Sequence, residues 1–175
     1  VCYRSTAQTT SMAYTATTNN PTSYTIDWTG MADQNTTAFA FSATGGTINN
    51  IAIPAGATAG TYSGTMTVRN ANGCTGTITV TVTINALPTI TTANTPAIVA
   101  AVCYSSAVQT TSMAYTATTN NPTSYSINWS VMADQGTTTF AFSATGGAID
   151  NITIPAGTAA GTYNVSLYTF NSYGC

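Results

Sequence analysis

Residues 77–84 read Thr-Ile-Thr-Val-Thr-Val-Thr-Ile, an unbroken alternation of threonine with a β-branched apolar residue. Successive side chains of a β-strand point to opposite faces of the sheet, so this order separates an apolar face from a polar one. It predicts a strand whose Ile78, Val80, Val82 and Ile84 face a core while the threonines face water. The stretch favours an antiparallel sheet that is solvated on one face.

The same alternation recurs upstream, interrupted by residues that favour turns. Apolar or small residues alternate with others at Met12, Tyr14 and Ala16, at Tyr24, Ile26 and Trp28, at Ile51 and Ile53, and at Tyr62, Gly64, Met66 and Val68. The runs are separated by Asn19-Asn20-Pro21, Pro54-Ala55-Gly56 and Asn70-Ala71-Asn72-Gly73. Residues of these types supply the backbone angles that tight turns need. The pattern predicts several short strands and no helix.

The chain also carries a long internal repeat. Residues 1–74 align with residues 102–175 at a constant offset of 101, without insertion or deletion, and 51 of the 74 aligned positions are identical. A period near 100 residues is typical of a whole small β domain, whereas solenoid repeats are shorter. With about seven short strands in each copy, we expect an all-β chain of tandem immunoglobulin-like antiparallel β-sandwiches.

The domain boundaries are expected to be offset from this alignment. Leu87-Pro88-Thr89 follows the alternating strand and has the composition of a linker, which predicts one domain over residues 1–87 and a second over residues 88–175. In this frame the first domain lacks its first strand and the second lacks its last. Two explanations stay open: the chain is a window on a longer array, or neighbouring chains complete each other by strand addition.

Two aromatic positions in each copy fit an immunoglobulin-like core. Trp28 and Trp129 lie on the strand after the first hairpin, where such folds keep a core tryptophan. Tyr62 and Tyr163 follow Ala-Gly-Thr just before the penultimate strand, the place of a tyrosine corner. Plain core filling explains either aromatic singly, so we expect all four to be structural core residues.

The four cysteines, Cys2, Cys74, Cys103 and Cys175, follow the same 101-residue offset. They allow three pairings, and the repeat favours Cys2 with Cys74 and Cys103 with Cys175, one disulfide inside each unit. Each bridge would close a loop of about 73 residues and contribute about 4 kcal/mol through chain entropy. In an orthodox immunoglobulin sandwich these segments lie at opposite ends, so the pairing also requires Cys2 to lie on a first strand or a crossover. Free buried thiols are the alternative. Disulfides are typical of oxidising compartments, which predicts an extracellular or cell-surface location.

Charged residues are scarce, and this narrows the classes of function. The chain has two Arg, four Asp and no Lys, Glu or His. Two arginines cannot neutralise a phosphate track, so nucleic acid is not an expected partner. Without histidine there is no Ser-His or Cys-His dyad, so we expect no enzyme, cofactor or metal. Asp33 and Asp134 are the acids present in both copies, and we expect them to cap turns rather than bind calcium, which needs more oxygen ligands. No apolar run is long enough for membrane insertion.

Short motifs resemble a known kind of repeat. They are Val-Cys-Tyr at 1–3 and 102–104, Asn-Gly-Cys at 72–74 and Pro-Thr-Ile at 88–90. Together they resemble the immunoglobulin-like or PKD-like repeats of large secreted proteins of Bacteroidota, which are exported by type IX secretion and include surface adhesins and gliding-motility adhesin filaments. The second copy ends in Tyr173-Gly174-Cys175 and departs from the motif at Tyr173. PKD-type domains are usually acidic enough to bind calcium, and this chain is not.

The resemblance and the repeat together imply a non-enzymatic structural role in cell adhesion. The chain would be part of an adhesin or extracellular filament in which disulfide-locked units give reach and resist force and proteases. Its partners would be neighbouring copies of the same repeat. The alternative is a surface module that binds polysaccharide through tyrosine-lined loops, with Tyr3, Tyr104, Tyr173 and Phe170 as candidates.

Overall fold

The computed structural model describes all 175 residues, which form two compact units, Val1–Ala86 and Leu87–Cys175. Every regular element is a β-strand. Unit 1 contains β1 (Gln8–Tyr14), β2 (Pro21–Trp28), β3 (Gln34–Ala38), β4 (Gly46–Ile53), β5 (Gly60–Asn70) and β6 (Thr75–Ile84). Unit 2 contains β7 (Thr89–Thr91), β8 (Gln109–Tyr115), β9 (Ala117–Thr119), β10 (Pro122–Trp129), β11 (Gln135–Thr139), β12 (Gly147–Ile154) and β13 (Val165–Asn171). The predicted all-β, antiparallel class is confirmed.

Unit 1 consists of two antiparallel sheets. One has four strands in the order β3-β2-β5-β6, and the other pairs β1 with β4. Side chains of both sheets meet in a single core that includes Tyr24, Ile26 and Trp28 of β2 and the isoleucines of β4. The arrangement is a β-sandwich, in which core-facing and solvent-facing residues alternate along the strands except at bulges such as the one between β1 and β4.

Strand β6 follows the predicted alternation with one exception. Val80, Val82 and Ile84 are buried, and the intervening threonines are exposed. Ile78 was expected in the core and is instead 58% exposed. It lies near the hairpin end of β6, opposite Met66 of β5. The prediction was wrong at Ile78 because periodicity assigns a face of the sheet but not how far along the strand the opposite sheet covers that face.

Unit 2 repeats this plan with one difference at each edge. The strands β8, β10, β11 and β12 occupy the positions of β1, β2, β3 and β4 moved by 101 residues. The larger sheet has the order β11-β10-β13 and no fourth strand, and β12 pairs with β8. Two short strands, β7 and β9, pair with each other and have no counterpart in unit 1.

The turns use the residues that the sequence predicted. Asn19 and Asn20 have positive φ values of 58° and 47°, and Asn120 and Asn121 have φ values of 56° and 47°. Asparagine tolerates this left-handed region better than other non-glycine residues, which explains why the Asn-Asn-Pro turn occurs in both copies.

The boundary between the units differs slightly from the expected linker. Leu87 belongs to unit 2, where its carbonyl oxygen accepts a 2.7 Å hydrogen bond from the Asn120 side-chain amide. Thr89 begins β7 rather than remaining in a loop. The structure also contains no helix that is long and apolar enough to cross a bilayer.

Candidate functional site

The cysteines do not form the predicted bridges. Cys2 and Cys175 are disulfide-bonded, whereas Cys74 and Cys103 carry free, exposed thiols. A Cys2–Cys74 bridge and a Cys103–Cys175 bridge are therefore both absent. The 101-residue offset that relates the cysteines of the two copies was a misleading guide to their pairing, because it says nothing about which end of the sandwich each one occupies.

Strand length explains why Cys2 and Cys74 stay apart. Cys2 lies beside Asn85, just beyond one end of β6, and Cys74 directly precedes Thr75 at the other end. Ten residues of strand span about 30 Å, whereas a disulfide needs Cα atoms within about 7 Å. In unit 2, Cys103 lies by the Trp129–Val165 end of β13, and Cys175 follows the Asn171 end.

The two tryptophans and two tyrosines occupy equivalent places in the units. Trp28 and Trp129 are buried in the two cores, and neither indole N–H has a hydrogen-bond partner. They therefore contribute apolar area to the core rather than a polar contact. Tyr62 and Tyr163 are half-buried, and each hydroxyl donates to a carbonyl oxygen four residues upstream, at 2.9 and 2.7 Å. This is the hydrogen-bonding geometry of a tyrosine corner.

Asp33 and Asp134 act as turn residues. A carboxylate oxygen of each accepts a 2.8 Å hydrogen bond from the backbone N–H of Trp28 or Trp129. No group of three His, Cys, Asp or Glu side chains is close enough to hold a metal ion. Both carboxylates thus fix the loop that follows the tryptophan strand.

A buried polar network links the two sheets of each unit, and the sequence reasoning missed it. Tyr24 donates to the Asn50 side-chain oxygen at 2.7 Å and accepts from Gln34 at 2.9 Å. Gln34 also accepts from the Ala52 backbone N–H at 2.9 Å. Burial raises the pKa of Tyr24 above its ordinary value, although the hydrogen bond from Gln34 partly opposes the shift. The only signal in the sequence is that Tyr24, Gln34 and Asn50 are unchanged in the second copy.

The same network occurs in unit 2. Tyr125 donates to the Asn151 side-chain oxygen, Gln135 donates to Tyr125 at 3.1 Å, and Gln135 accepts from the Thr153 backbone at 2.9 Å. Burial also raises the pKa of Tyr125. Because β2 or β10 belongs to one sheet and β4 or β12 to the other, the network fixes how the sheets face each other.

In unit 1 the first and last residues of the unit pair side by side. Cys2 and Asn85 form a parallel bridge. Asn85 donates to the Val1 carbonyl oxygen at 2.7 Å, Tyr3 donates to the Asn85 carbonyl oxygen at 2.9 Å, and the Val1 amino group donates to Thr83 at 3.0 Å. We call this pairing of residues 1–3 with residues 83–85 the terminal clamp.

Unit 2 contains a cavity lined by residues 102–104, which are the counterpart of the clamp residues 1–3 of unit 1. Its volume is about 570 Å³. Its walls are one side of the core and two backbone segments, and they include Trp129, Met132, Ile154, residues 96–105 and residues 161–165. None of the lining residues is charged. We call this feature the unit 2 groove.

Comparison with known proteins leaves the geometry as the main guide to function. No protein-family model matches the chain, and no curated protein matches it in sequence.

Proposed function

We propose that this chain is a load-bearing structural repeat of a cell-surface adhesin or extracellular filament, with neighbouring copies of the repeat as its partners. The terminal clamp carries the proposal. Residues 1–3 and residues 83–85 run parallel, so tension on the two ends of unit 1 pulls the paired segments in opposite directions along their axes. All the clamp hydrogen bonds then bear the load together instead of opening one after another.

The repeat and the surface chemistry support this role. Equivalent strands lie at an offset of 101 residues in the two units, so the same design is used at least twice. Only 3% of the residues are charged, and the exposed face of β6 is made of threonine. Such a surface responds weakly to pH and salt, which suits an extracellular or surface-exposed shaft.

The disulfide has a narrower role in the proposal than the sequence suggested. With Cys74 free, no bridge inside unit 1 limits its extension under load. The resistance of unit 1 to force is therefore assigned to the backbone hydrogen bonds of the clamp and to the packing of β6. The presence of a disulfide is consistent with an oxidising, extracellular compartment.

Single-molecule pulling on the two ends of the whole chain tests the clamp, with the chain reduced so that the disulfide-bonded cysteines next to those ends, Cys2 and Cys175, do not carry the force. Unit 1 should unfold in one step that releases about 300 Å, the length of its 86 residues when fully extended. Asn85→Pro removes the N–H that bonds Val1 and should lower the unfolding force, whereas Asn85→Ala keeps that N–H and should leave the force unchanged. Equal forces for the two variants would contradict the proposal.

A polysaccharide-binding module is the second candidate, because several tyrosines of unit 2 are exposed. Tyr104, Tyr168 and Tyr173 present at least half of their surface to solvent. Their counterparts in unit 1 are Tyr3, which packs against the core, and Thr67 and Asn72. A glycan array separates the candidates: saturable binding that is lost in a Tyr104→Ala, Tyr173→Ala variant favours the module, and no binding favours the shaft.

A further inference from the structure

The outer face of the four-stranded sheet of unit 1 carries an ordered set of hydroxyl side chains. Strands β5 and β6 pair over ten consecutive residues, from Gly60–Ile84 to Arg69–Thr75, without a bulge. Every second pair along such a ladder points away from the core. Four of these outward pairs follow one another: Thr61–Thr83, Ser63–Thr81, Thr65–Thr79 and Thr67–Thr77. We call these eight residues the hydroxyl array.

The spacing of the hydroxyl array is regular in two directions. Neighbouring members on one strand lie about 6.8 Å apart, and the two strands lie about 4.8 Å apart. Hydrogen-bonded and non-hydrogen-bonded pairs alternate along an antiparallel ladder, so the outward pairs are all of one kind and share one separation. The array is two strands wide, so the twist of about 20–25° between adjacent strands is applied only once across it. The result is a nearly rectangular lattice of hydroxyl and methyl groups.

The side chains of the hydroxyl array are available to a partner. Thr67 is half-buried, and the other seven are exposed. The hydroxyl oxygens of Thr61 and Thr83 lie 3.1 Å apart, and the hydroxyls of the other three pairs make no hydrogen bond within the protein. Threonine is branched at Cβ and restricted at χ1, so the positions of its hydroxyl and methyl groups are largely fixed before binding. Little side-chain entropy is therefore lost when the array meets an ordered surface.

The fold itself does not require threonine at these positions. Thr65 and Thr67 correspond to Ser166 and Tyr168 of β13, the equivalent strand of unit 2. Tyr168 is 50% exposed, so the outer face of this strand accepts a bulky side chain in a folded unit. The unbroken array is thus a property of unit 1 that the stability of the sandwich does not explain.

Charged residues lie only at the border of the hydroxyl array. Asp27 of β2 pairs with Thr65 on the side away from β6, and Arg69 pairs with Thr75 beyond the end of the array. An uncharged array offers no strong attraction to the ions of a mineral surface. It also contains no aromatic ring for stacking on sugars. Among surfaces with a regular lattice, ordered water is the one that closely spaced hydroxyl and methyl groups match.

We propose that the hydroxyl array is an ice-binding surface. Oxygen atoms on the prism faces of hexagonal ice form a rectangular lattice, and its two repeats are similar in size to the two spacings of the array. The threonine hydroxyls donate and accept hydrogen bonds at lattice positions, and the methyl groups between them lose contact with liquid water. This inference goes beyond the proposed shaft function and does not depend on it, since binding of ice by unit 1 does not need a load-bearing clamp.

Partitioning into slowly grown ice tests the proposal. The whole chain, with Cys74→Ser, carries one fluorescent maleimide on the exposed thiol of Cys103, which belongs to unit 2. The labelled chain should be enriched in the ice fraction, whereas free dye is expelled into the liquid. Thr65→Tyr should abolish this enrichment, because a bulky side chain in a middle row of the array holds the ice lattice away from the neighbouring hydroxyls.

Thr47→Tyr is the matched control for this variant. Thr47 is exposed on β4 and pairs with Ala13, so it lies on the outer face of the other sheet, and its substitution should leave the enrichment unchanged. Slow amide exchange in β2 shows that each variant is folded. If Thr65→Tyr does not fold, Thr79→Tyr on the neighbouring strand takes its place. Exclusion of the unsubstituted chain from ice, or equal enrichment of the array variant and the control, would overturn the proposal.

A second copy of the chain is the alternative occupant of this face, and light scattering distinguishes it. An ice-binding array predicts the same molar mass for the unsubstituted chain and for Thr65→Tyr. A dimer that Thr65→Tyr dissociates, together with no enrichment in ice, would assign the array to self-association and overturn the proposal.

Discussion

The two units share most of their sequence, but different edges of their cores are covered by neighbouring residues. In unit 1, β6 adds Val80, Val82 and Ile84 to the core, lengthens β5 and forms the terminal clamp. In unit 2 the opposite edge is better covered: the Ala100 backbone bonds Ser112, and Thr111 bonds Ala100, so that Met113 and Tyr115 are buried. Their counterparts Met12 and Tyr14 are only partly buried.

The comparison shows that the presence of a neighbouring strand, and not the local sequence, decides whether residues at the edge of the sandwich form a strand. The residues of the tyrosine corner are unchanged between units, yet residues 60–63 form a strand and residues 161–164 do not. A strand exists only where another strand satisfies its backbone groups. The four predictions below use the two units as references for each other.

Counting the reactive thiols should give the largest effect, because each cysteine is either free and reactive or disulfide-bonded and unreactive. The native, unreduced chain should react with two equivalents of a maleimide, at Cys74 and Cys103, and with four after denaturation and reduction. Cys74→Ser should lower the native count to one. A native count of zero would contradict the free thiols of Cys74 and Cys103 and would leave all three cysteine pairings open.

Shortening a core-facing side chain of β6 should lower the stability of unit 1, whereas shortening an exposed one should not. Ile84 is 1% exposed, so Ile84→Ala removes buried methyl groups and should lower the free energy of unfolding of unit 1 by about 3 kcal/mol. Ile78 on the same strand is 58% exposed, and Ile78→Ala should change it by less than about 0.5 kcal/mol. Amide hydrogen exchange in β2 and β5 measures both. Similar costs for the two variants would mean that Ile78 belongs to the core after all.

Gly64 of β5 leaves room for Trp28 to pack against this strand, and unit 2 has no glycine at the equivalent position. A Cβ added at Gly64 would lie 2.6 Å from Cε3 of Trp28, so Gly64→Ala should destabilise unit 1 by about 1–3 kcal/mol. Gly76 has room, since its added Cβ would meet only Val68 at 3.8 Å, and Gly76→Ala should be neutral or slightly stabilising.

Unit 2 shows why this contact is specific to unit 1. It carries Val165 at the position of Gly64, so Trp129 cannot approach that strand as Trp28 does. The check is urea unfolding of both glycine variants. A neutral Gly64→Ala would show that the tryptophan in unit 1 moves aside without cost.

High pH should produce the smallest effect, through Tyr24 and Tyr125. Burial raises both pKa values above that of a tyrosine in the unfolded chain, so the folded state binds these protons more tightly. Their contribution to stability is complete below about pH 10 and is lost as the pH rises through the folded-state pKa values.

Substitution isolates this contribution. Unfolding free energy should fall less steeply above pH 10 in Tyr24→Phe than in the unaltered chain, although Tyr24→Phe also loses the bond to Asn50 and is less stable at neutral pH. Tyr104→Phe, at an exposed site, should leave the slope unchanged. Identical slopes for all three proteins would contradict the role of burial.

Much of the fold was predictable because it follows from short-range chemistry. Alternation located β2, β4 and β6, and asparagine, proline and glycine located the turns between them. The positions of Trp28 and Tyr62 within these strands also followed from the pattern. The buried network of Tyr24, Gln34 and Asn50 did not, because its members lie on separate strands and their spacing carries no period.

The sequence by itself determined that the chain is β-structured, that the design occurs twice, and which face of each strand is apolar, since all three depend on residue type and on periods of two and 101 residues. Only the tertiary structure decided which cysteines are bonded, where Ile78 lies, and which edge of each unit is covered. Those outcomes depend on which ends of distant strands lie close in space. Chain spacing does not encode that proximity, because a strand of ten residues separates its two ends by about 30 Å.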